Sequence, residues 1–222
     1  MAVMDEFQKE REALKSAPFS VRIKYFWDYN RGKVIIGIIL LLIAGGFISA
    51  QLSKRDQVIS GVFLNCFEQE YILGEFSEEF LLENEFNPKK QETYFVTDLP
   101  YEVGKQASSA NMDTNQALYV YASSGVVDFI VSNSVVMDDL AKKYFFADLR
   151  DVLSEEECKA LESYFVTYEN EEGEEVPVLI DIGKNERMAK AYGEDYESLQ
   201  MGVMLDSAHP ENMGAFVEYL MK

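Results

Sequence analysis

Small polar residues follow three strand-like segments of this chain, at positions where a ligand could bind. Loops at the carboxyl ends of parallel strands lie beside helix N-termini and are frequent ligand sites. The group after the third segment is the strongest candidate, because three small side chains and backbone N–H groups converge where a helix should begin. Simple helix capping is the competing interpretation and is the commoner role for such residues. The candidate ligand-binding residues are Asn65, Thr97, Ser132, Asn133 and Ser134.

Catalytic and metal-binding patterns are missing from the sequence. The single histidine, His209, precedes Pro210 where a helix should start, so a capping or surface role is expected for it. No G-x-S-x-G elbow and no phosphate-binding G-x-x-x-x-G-K-S/T occurs. One histidine and two cysteines are too few for a zinc site, and the acidic stretches lack the alternating spacing of a calcium loop. The sequence therefore predicts a protein that is not an enzyme and that needs no cofactor or metal.

The segments that must position these residues alternate between strand-like and helix-like periodicity. Strands are predicted at 58–67, 93–99, 126–134 and 202–205, and a hairpin with Gly173 in its turn at 166–183. Pro177 should place the second arm of that hairpin at a sheet edge or at its own first residue. This alternation predicts an α/β fold with a mixed, mostly parallel sheet flanked by helices.

Helix signals lie between these strands. Helices are predicted at 77–86 with Ser77 as cap, before Gly125 with capping-box spacing at Asp113–Gln116, and at 137–145 with Tyr144 on the buried face. A further helix should open at Ser154, and the last should begin at Pro210. In the last helix the apolar stripe is Met213, Phe216, Val217 and Leu220.

Twenty consecutive residues from Val34 to Ser53 carry no charge. As a helix rising about 1.5 Å per residue, they span roughly 30 Å, the thickness of the hydrocarbon core of a bilayer. The sequence thus predicts a segment at 1–33, a transmembrane helix at 34–53 and a single outer domain at 54–222. A cleaved signal peptide is the alternative, but its charged leading region would be far longer than usual.

Charges beside the apolar run predict its orientation. Four Lys or Arg residues lie within 22–33, and only Lys54 and Arg55 follow the run before Lys89. Because short cytoplasmic segments are rich in Lys and Arg, the N-terminus should be cytoplasmic and the C-terminal domain extracellular. Aromatic rings just ahead of the run suit the headgroup zone. The membrane-interface candidates are Arg22, Lys24, Tyr25, Trp27, Tyr29, Arg31 and Lys33.

The predicted outer part is strongly acidic. Residues 34–222 carry thirteen Lys or Arg against thirty-four Asp or Glu, within a chain whose net charge is −19. Such a surface does not attract nucleic acid. Cys66 and Cys158 both occupy positions suited to small core residues, and their spacing leaves open whether they pair.

Three stretches resemble a known family. Residues 115–153 are similar to extracellular solute-binding proteins of the type II periplasmic fold, in which a helix leads through a Gly to an Asp-containing strand, a loop and a second helix. Here the helix ends in the turn Tyr144–Leu149, without the Gly usual in the family. The terminal segment SAHPENMGAFVEYLM resembles the closing helix of such proteins, and KYFWDYNRGKVIIGIILLL resembles the start of single-span membrane proteins of Gram-positive bacteria.

The resemblance implies a compact lobe of the solute-binding fold held at the membrane. With about 165 residues after the span, one lobe fits and a second does not. The function expected is a membrane-anchored extracytoplasmic binding or interaction module without catalytic activity. Its expected partners are the lipid bilayer and another membrane protein or transporter; whether it takes a small-molecule ligand is left open. The alternative is a structural or assembly subunit of a membrane complex, acting through its transmembrane helix and basic juxtamembrane segment.

Overall fold

The computed structural model describes residues 17–52, 54–105, 108–143, 146–170, 172–193, 196 and 198–222. It divides the chain into two compact units, Met1–Lys54 and Arg55–Lys222. The predicted segment at 1–16, the Tyr144 prediction and the side chain of Tyr29 fall outside the described residues.

Helix α1 (Phe19–Leu52) is the described element of the first unit. It begins well before the apolar run, so the predicted interface residues and the predicted span belong to one continuous helix. The window Asn30–Phe47 has a mean hydropathy of 1.6 and none of it is buried. One helix of this chain is thus long and apolar enough to cross a membrane. The described side chains among the interface candidates are all exposed on it: Arg22, Lys24, Tyr25, Trp27, Arg31 and Lys33.

The second unit is an α/β domain around a six-stranded mixed sheet of order β2-β1-β3-β6-β5-β4. Strand β1 pairs in parallel with β2 and with β3, whereas the other three pairings are antiparallel. The α/β fold with a mixed sheet is as predicted. Four strands run in one direction and two in the other, but only two of the five pairings are parallel. The strands are β1 (Asp56–Phe63), β2 (Gln91–Val96), β3 (Phe129–Asn133), β4 (Phe165–Glu169), β5 (Glu175–Gly183) and β6 (Leu199–Val203).

Helices cover both faces of the sheet. Side chains that alternate along the strands separate into two clusters: Phe63 and Val131 face one side, and Val62 and Ile130 face the other. The helices of this unit are α2 (Gln69–Tyr71), α3 (Ser77–Glu83), α4 (Ser109–Ser124), α5 (Ser134–Ala141), α6 (Leu149–Val152), α7 (Glu155–Leu161), α8 (Glu186–Tyr192) and α9 (Met213–Met221), with a π-helical turn at Ile72–Phe76 and 3-10 turns at Glu162–Tyr164 and Pro210–Asn212.

Several predicted helix boundaries hold. Ser154 and Glu157 form the predicted capping box of α7. Gly125 ends α4 in the left-handed conformation, with φ of 61°. Pro210 occupies the first turn before α9, and the predicted stripe of α9 is buried.

Two predicted caps are wrong. Ser77 lies inside a continuous helical segment that begins at Gln69, and its hydroxyl contacts that of Thr93 at 2.5 Å. Helix α4 begins at Ser109 with Ser108 as cap, so the predicted capping box at Asp113 lies within the helix. In both cases a Ser or Asp, residue types that favour N-cap positions, lies where the chain is already helical.

The predicted edge position of Pro177 is also wrong. Strand β5 lies between β4 and β6, and β4 is the edge strand. Pairing with β6 begins only at Leu179, and the β4 ladder changes register between Val166 and Thr167, opposite Pro177. At Pro177 strand β5 pairs with β4 alone, so its lack of an N–H breaks no hydrogen bond to β6. An interior strand can therefore contain this proline.

A cluster of aromatic rings fills one face of the sheet. Phe129 lies 4.3 Å from Phe216 and 5.6 Å from Phe63, measured between ring centroids. The ring of Phe129 covers Gly61, its partner on β1, so closely that a Cβ there would lie 2.1 Å from the ring. Glycine at this position allows the ring to rest on the backbone of β1.

Candidate functional site

A cleft of about 890 Å³ opens at the carboxyl ends of β1, β2 and β3. The chain leaves these strands at Asn65, Thr97 and Asn133, and all three residues line the cleft. The N-terminal residue of β6, Leu199, lines it too, as does the end of α8 at Tyr192 and Gly193. Three of the five predicted ligand-binding residues therefore lie together.

Asn65 holds one wall of the cleft in place. Its backbone is left-handed, with φ of 58°, which turns the chain away from the sheet two residues after β1 ends. Its side-chain amide donates to the carbonyl of Tyr101 and accepts from the N–H of Tyr101, both at 2.8 Å. Much of the hydrogen-bonding capacity of this amide is thus used within the protein.

Tyr101 connects the same wall to helix α5. Its ring is 2 % exposed, and its hydroxyl lies 2.6 Å from Asp139 Oδ2 and 2.5 Å from Lys143 Nζ. Burial and the bond to Asp139 raise the pKa of the Tyr101 hydroxyl. Tyr101 is therefore held by both its backbone and its side chain, which fixes this wall of the cleft.

The three polar residues after β3 have different environments. Ser132 is fully buried and its hydroxyl lies 3.4 Å from the carbonyl of Leu64. Asn133 caps α5, its side chain accepting from Val136 N–H at 3.0 Å. Ser134 is the first residue of α5 and is not among the cleft-lining residues. Of these three residues, Asn133 lines the cleft, and its side chain acts as a helix cap.

Thr97 stands out among the cleft residues. It is 5 % exposed, and its hydroxyl has no hydrogen-bond partner among the described residues. Among the described residues, the buried side-chain atoms without a partner are Tyr71 Oη and Gln200 Oε1, so the Thr97 oxygen itself is accessible from the cleft. This hydroxyl is therefore available to a ligand.

Aromatic rings that the sequence did not single out form another part of the cleft. Phe67, at the rim, is 77 % exposed. The rings of Tyr192 and Tyr196 lie 6.3 Å apart, and the hydroxyl of Tyr192 is 3.3 Å from the Val131 carbonyl. Tyr192 is the last residue of a short helix, at a position where the sequence pattern predicts a core residue. The local sequence therefore does not predict that it lines a cleft.

Cys66 lines the cleft but has an unreactive thiol. Burial raises its pKa to about 11, so it is protonated at neutral pH and is a poor nucleophile. Cys158 is also free. The two cysteines therefore do not pair.

A second polar cluster lies at the opposite end of β3, around the fully buried Asp128. The backbone N–H groups of Ser60 and His209 donate to its carboxylate at 2.7 and 2.9 Å, and the Ser207 hydroxyl donates at 2.8 Å. His209 Nδ1 lies 2.9 Å from the same carboxylate. His209 occupies the N-cap position of the turn Pro210–Asn212, as expected, but its side chain makes no cap bond and contacts Asp128 instead.

The Asp128 cluster is an anchor for the fold. Burial alone would raise the pKa of Asp128, but the hydrogen bonds from His209, Ser207 and Ser60 outweigh it and lower the pKa below its usual value. The hydroxyls of Ser60 and Ser207 both contact this carboxylate. The Ser60 hydroxyl also lies 2.5 Å from the Val126 carbonyl. The cluster thereby connects β1 and β3 to the segment before α9.

The described residues contain no group of three or more His, Cys, Asp or Glu side chains arranged to hold a metal ion. Comparisons with protein-family models, with curated proteins and with solved structures found no significant match to this chain.

Proposed function

We propose that this chain is a membrane-anchored extracytoplasmic binding module that takes a small ligand in the cleft at the ends of β1, β2 and β3 and performs no catalysis. The observation that carries the proposal is the cleft itself. Its volume of about 890 Å³ lies within the range of small-molecule sites. Helix α1 would act as the anchor.

The position of the cleft in the sheet supports a binding role. The chain runs from β1 to β2 on one side of β1, and then crosses to β3 on the other side. The connections out of β1 and β2 thus diverge to opposite sides, which creates a crevice at the carboxyl edge of the sheet. Ligands of open α/β sheets bind at such a crevice.

The resemblance to one lobe of type II solute-binding proteins agrees with the central unit of the domain. Helix α4 leads through Gly125 to Asp128, β3 and α5, in the order that the family pattern requires. A single lobe leaves one side of a ligand uncovered, so affinity should be modest unless a partner completes the site.

Ligand binding predicts a thermal shift that depends on the cleft. The full chain in detergent micelles would be screened against sugars, amino acids, amines and short peptides. At a ligand concentration of ten times Kd the gain is about 1.4 kcal/mol, which corresponds to a rise in melting temperature of roughly 3–5 °C. Gln69, an exposed residue lining the cleft, would be replaced to fill it: Gln69→Trp should abolish the shift.

The matched control is Gln116→Trp. Gln116 is exposed on α4, away from the cleft-lining residues, and should leave the shift unchanged. A shift that survives Gln69→Trp would place binding elsewhere. If no compound class raises the melting temperature, the proposed binding function is wrong.

Membrane topology makes a separate prediction. With an epitope tag at each end of the chain, protease added to intact cells should remove the C-terminal tag and spare the N-terminal one, because the basic residues before the span favour a cytoplasmic N-terminus. Detergent lysis should expose both tags. Protection of the C-terminal tag in intact cells, or recovery of the chain in the soluble fraction, would contradict the proposed anchoring and orientation.

A further inference from the structure

We infer that the ligand of the cleft is a small organic amine in its ammonium form. This inference rests on the proposed binding function and specifies its ligand. Three features on the wall of one cavity support it: two carboxylates without an ion-pair partner among the described residues, the exposed ring of Phe67, and the hydroxyl of Thr97.

The charged side chains that line the cleft are all acidic: Glu68, Asp98 and Glu102. Glu102 forms an ion pair with Lys105, which offsets part of its charge. Glu68 and Asp98 take part in no ion pair within the described part of the chain, and both are exposed. The cleft therefore carries uncompensated negative charge and attracts a cation.

Two lysines beside the cleft are paired with carboxylates, Lys105 with Glu102 and Lys143 with Asp139. Lys184 Nζ lies 5.4 Å from the ring centroid of Tyr196, so it supplies one positive charge to this wall of the cleft. The N-terminus of α5 also carries positive charge, but a helix terminus contributes only about half an elementary charge. The acidic side chains outweigh it.

The aromatic rings give the cleft a second means of holding a cation. Phe67 exposes 77 % of its surface, whereas Tyr192 is 5 % exposed and Lys184 Nζ already lies over the ring of Tyr196. Ring faces attract ammonium groups through their quadrupole, and the attraction strengthens where water is excluded. A carboxylate site for a bare metal ion would not need these rings.

Thr97 supplies the polar contact that a protonated amine requires. Thr97 is 5 % exposed, and its hydroxyl has no hydrogen-bond partner among the described residues. An ammonium N–H can donate to this oxygen while the charge interacts with Glu68 and Asp98. A metal ion is disfavoured, because the described carboxylates do not converge into a ligand set.

The test uses the full chain in detergent micelles and pentane-1,5-diamine as the probe, with pentane-1,5-diol as its uncharged isostere. Isothermal titration should give a Kd for the diamine that is at least about tenfold lower than for the diol. Glu68→Gln/Asp98→Asn should raise the Kd of the diamine by roughly tenfold, and Phe67→Ala and Thr97→Val each by several-fold. High salt should weaken binding as well.

The control variant is Glu78→Gln/Glu211→Gln, which removes the same charge from two exposed positions outside the cleft and should leave the Kd unchanged. The inference is overturned if the diol binds as tightly as the diamine, if calcium binds and the diamine does not, or if the cleft charge variant leaves the Kd unchanged. Neutral compounds that bind and are blocked by Gln69→Trp would overturn the inference and keep the proposed function. If nothing binds at all, both fail.

Discussion

Replacing Asp128 by alanine is expected to destabilise the Arg55–Lys222 unit by about 4 kcal/mol and to lower its melting temperature by roughly 10 °C. The carboxylate is fully buried and accepts from the backbone N–H groups of Ser60 and His209 and from the Ser207 hydroxyl. Alanine would leave these donors buried without a partner, and each would forfeit its bonds to water. Urea unfolding of the soluble fragment 55–222 measures the effect.

The exposed carboxylate of Asp113 on α4 provides the matched control, and Asp113→Ala should change stability by less than about 0.5 kcal/mol. A small effect of Asp128→Ala, similar to that of the control, would show that the Asp128 cluster does not hold the sheet to the C-terminal segment.

The pH dependence of the same variant has a definite sign. Because the pKa of Asp128 is lowered in the folded state, its contribution is fully present above the pKa of an unfolded Asp, about 3.9. The contribution is lost as the pH falls through the lower folded-state pKa. The stability difference between the original protein and Asp128→Ala should therefore be constant from about pH 5 to 7 and shrink below about pH 4. A difference that grows on acidification would contradict this assignment.

Replacing Gly61 by alanine is expected to cost about 3 kcal/mol. The added Cβ would lie 2.1 Å from the ring of Phe129, far inside van der Waals contact. The ring cannot move freely, because Phe216 lies 4.3 Å away and Phe63 5.6 Å away. Accommodation would need a shift of the ring cluster or of β1, and the urea midpoint should fall accordingly.

Gly74 provides the control, because nothing lies within 4 Å of a Cβ added there. Gly74→Ala in its helical segment should be neutral or slightly stabilising. Shortening the ring in Gly61→Ala/Phe129→Leu should recover part of the loss relative to the sum of the two single variants. If the two changes are simply additive, the clash does not arise between these two residues.

The local sequence of this chain predicts its strands and helices and, through them, the edge of the sheet where a cleft forms. Asn65, Thr97 and Asn133 are far apart in sequence, yet each lies at the carboxyl end of one of three neighbouring parallel strands, and such strands end at one edge. The apolar run at 34–53 likewise predicts a membrane-length helix without any tertiary information. Both predictions depend on periodicity and length, which the chain carries locally.

Tertiary structure alone decided which side chains meet. Asp128 and His209 are separated by 81 residues, and neither has a neighbour that marks the pair. Tyr192 reads as one more core residue on a short helix, and it becomes a cleft residue only because the end of α8 meets the loop after β1, where the Ala191 carbonyl accepts from the Phe67 and Glu68 N–H groups. Strand β6 lies between β3 and β5 and runs antiparallel to both. Local sequence patterns do not encode this order. Local interactions fix each element, whereas contacts between distant residues depend on how all the elements pack at once.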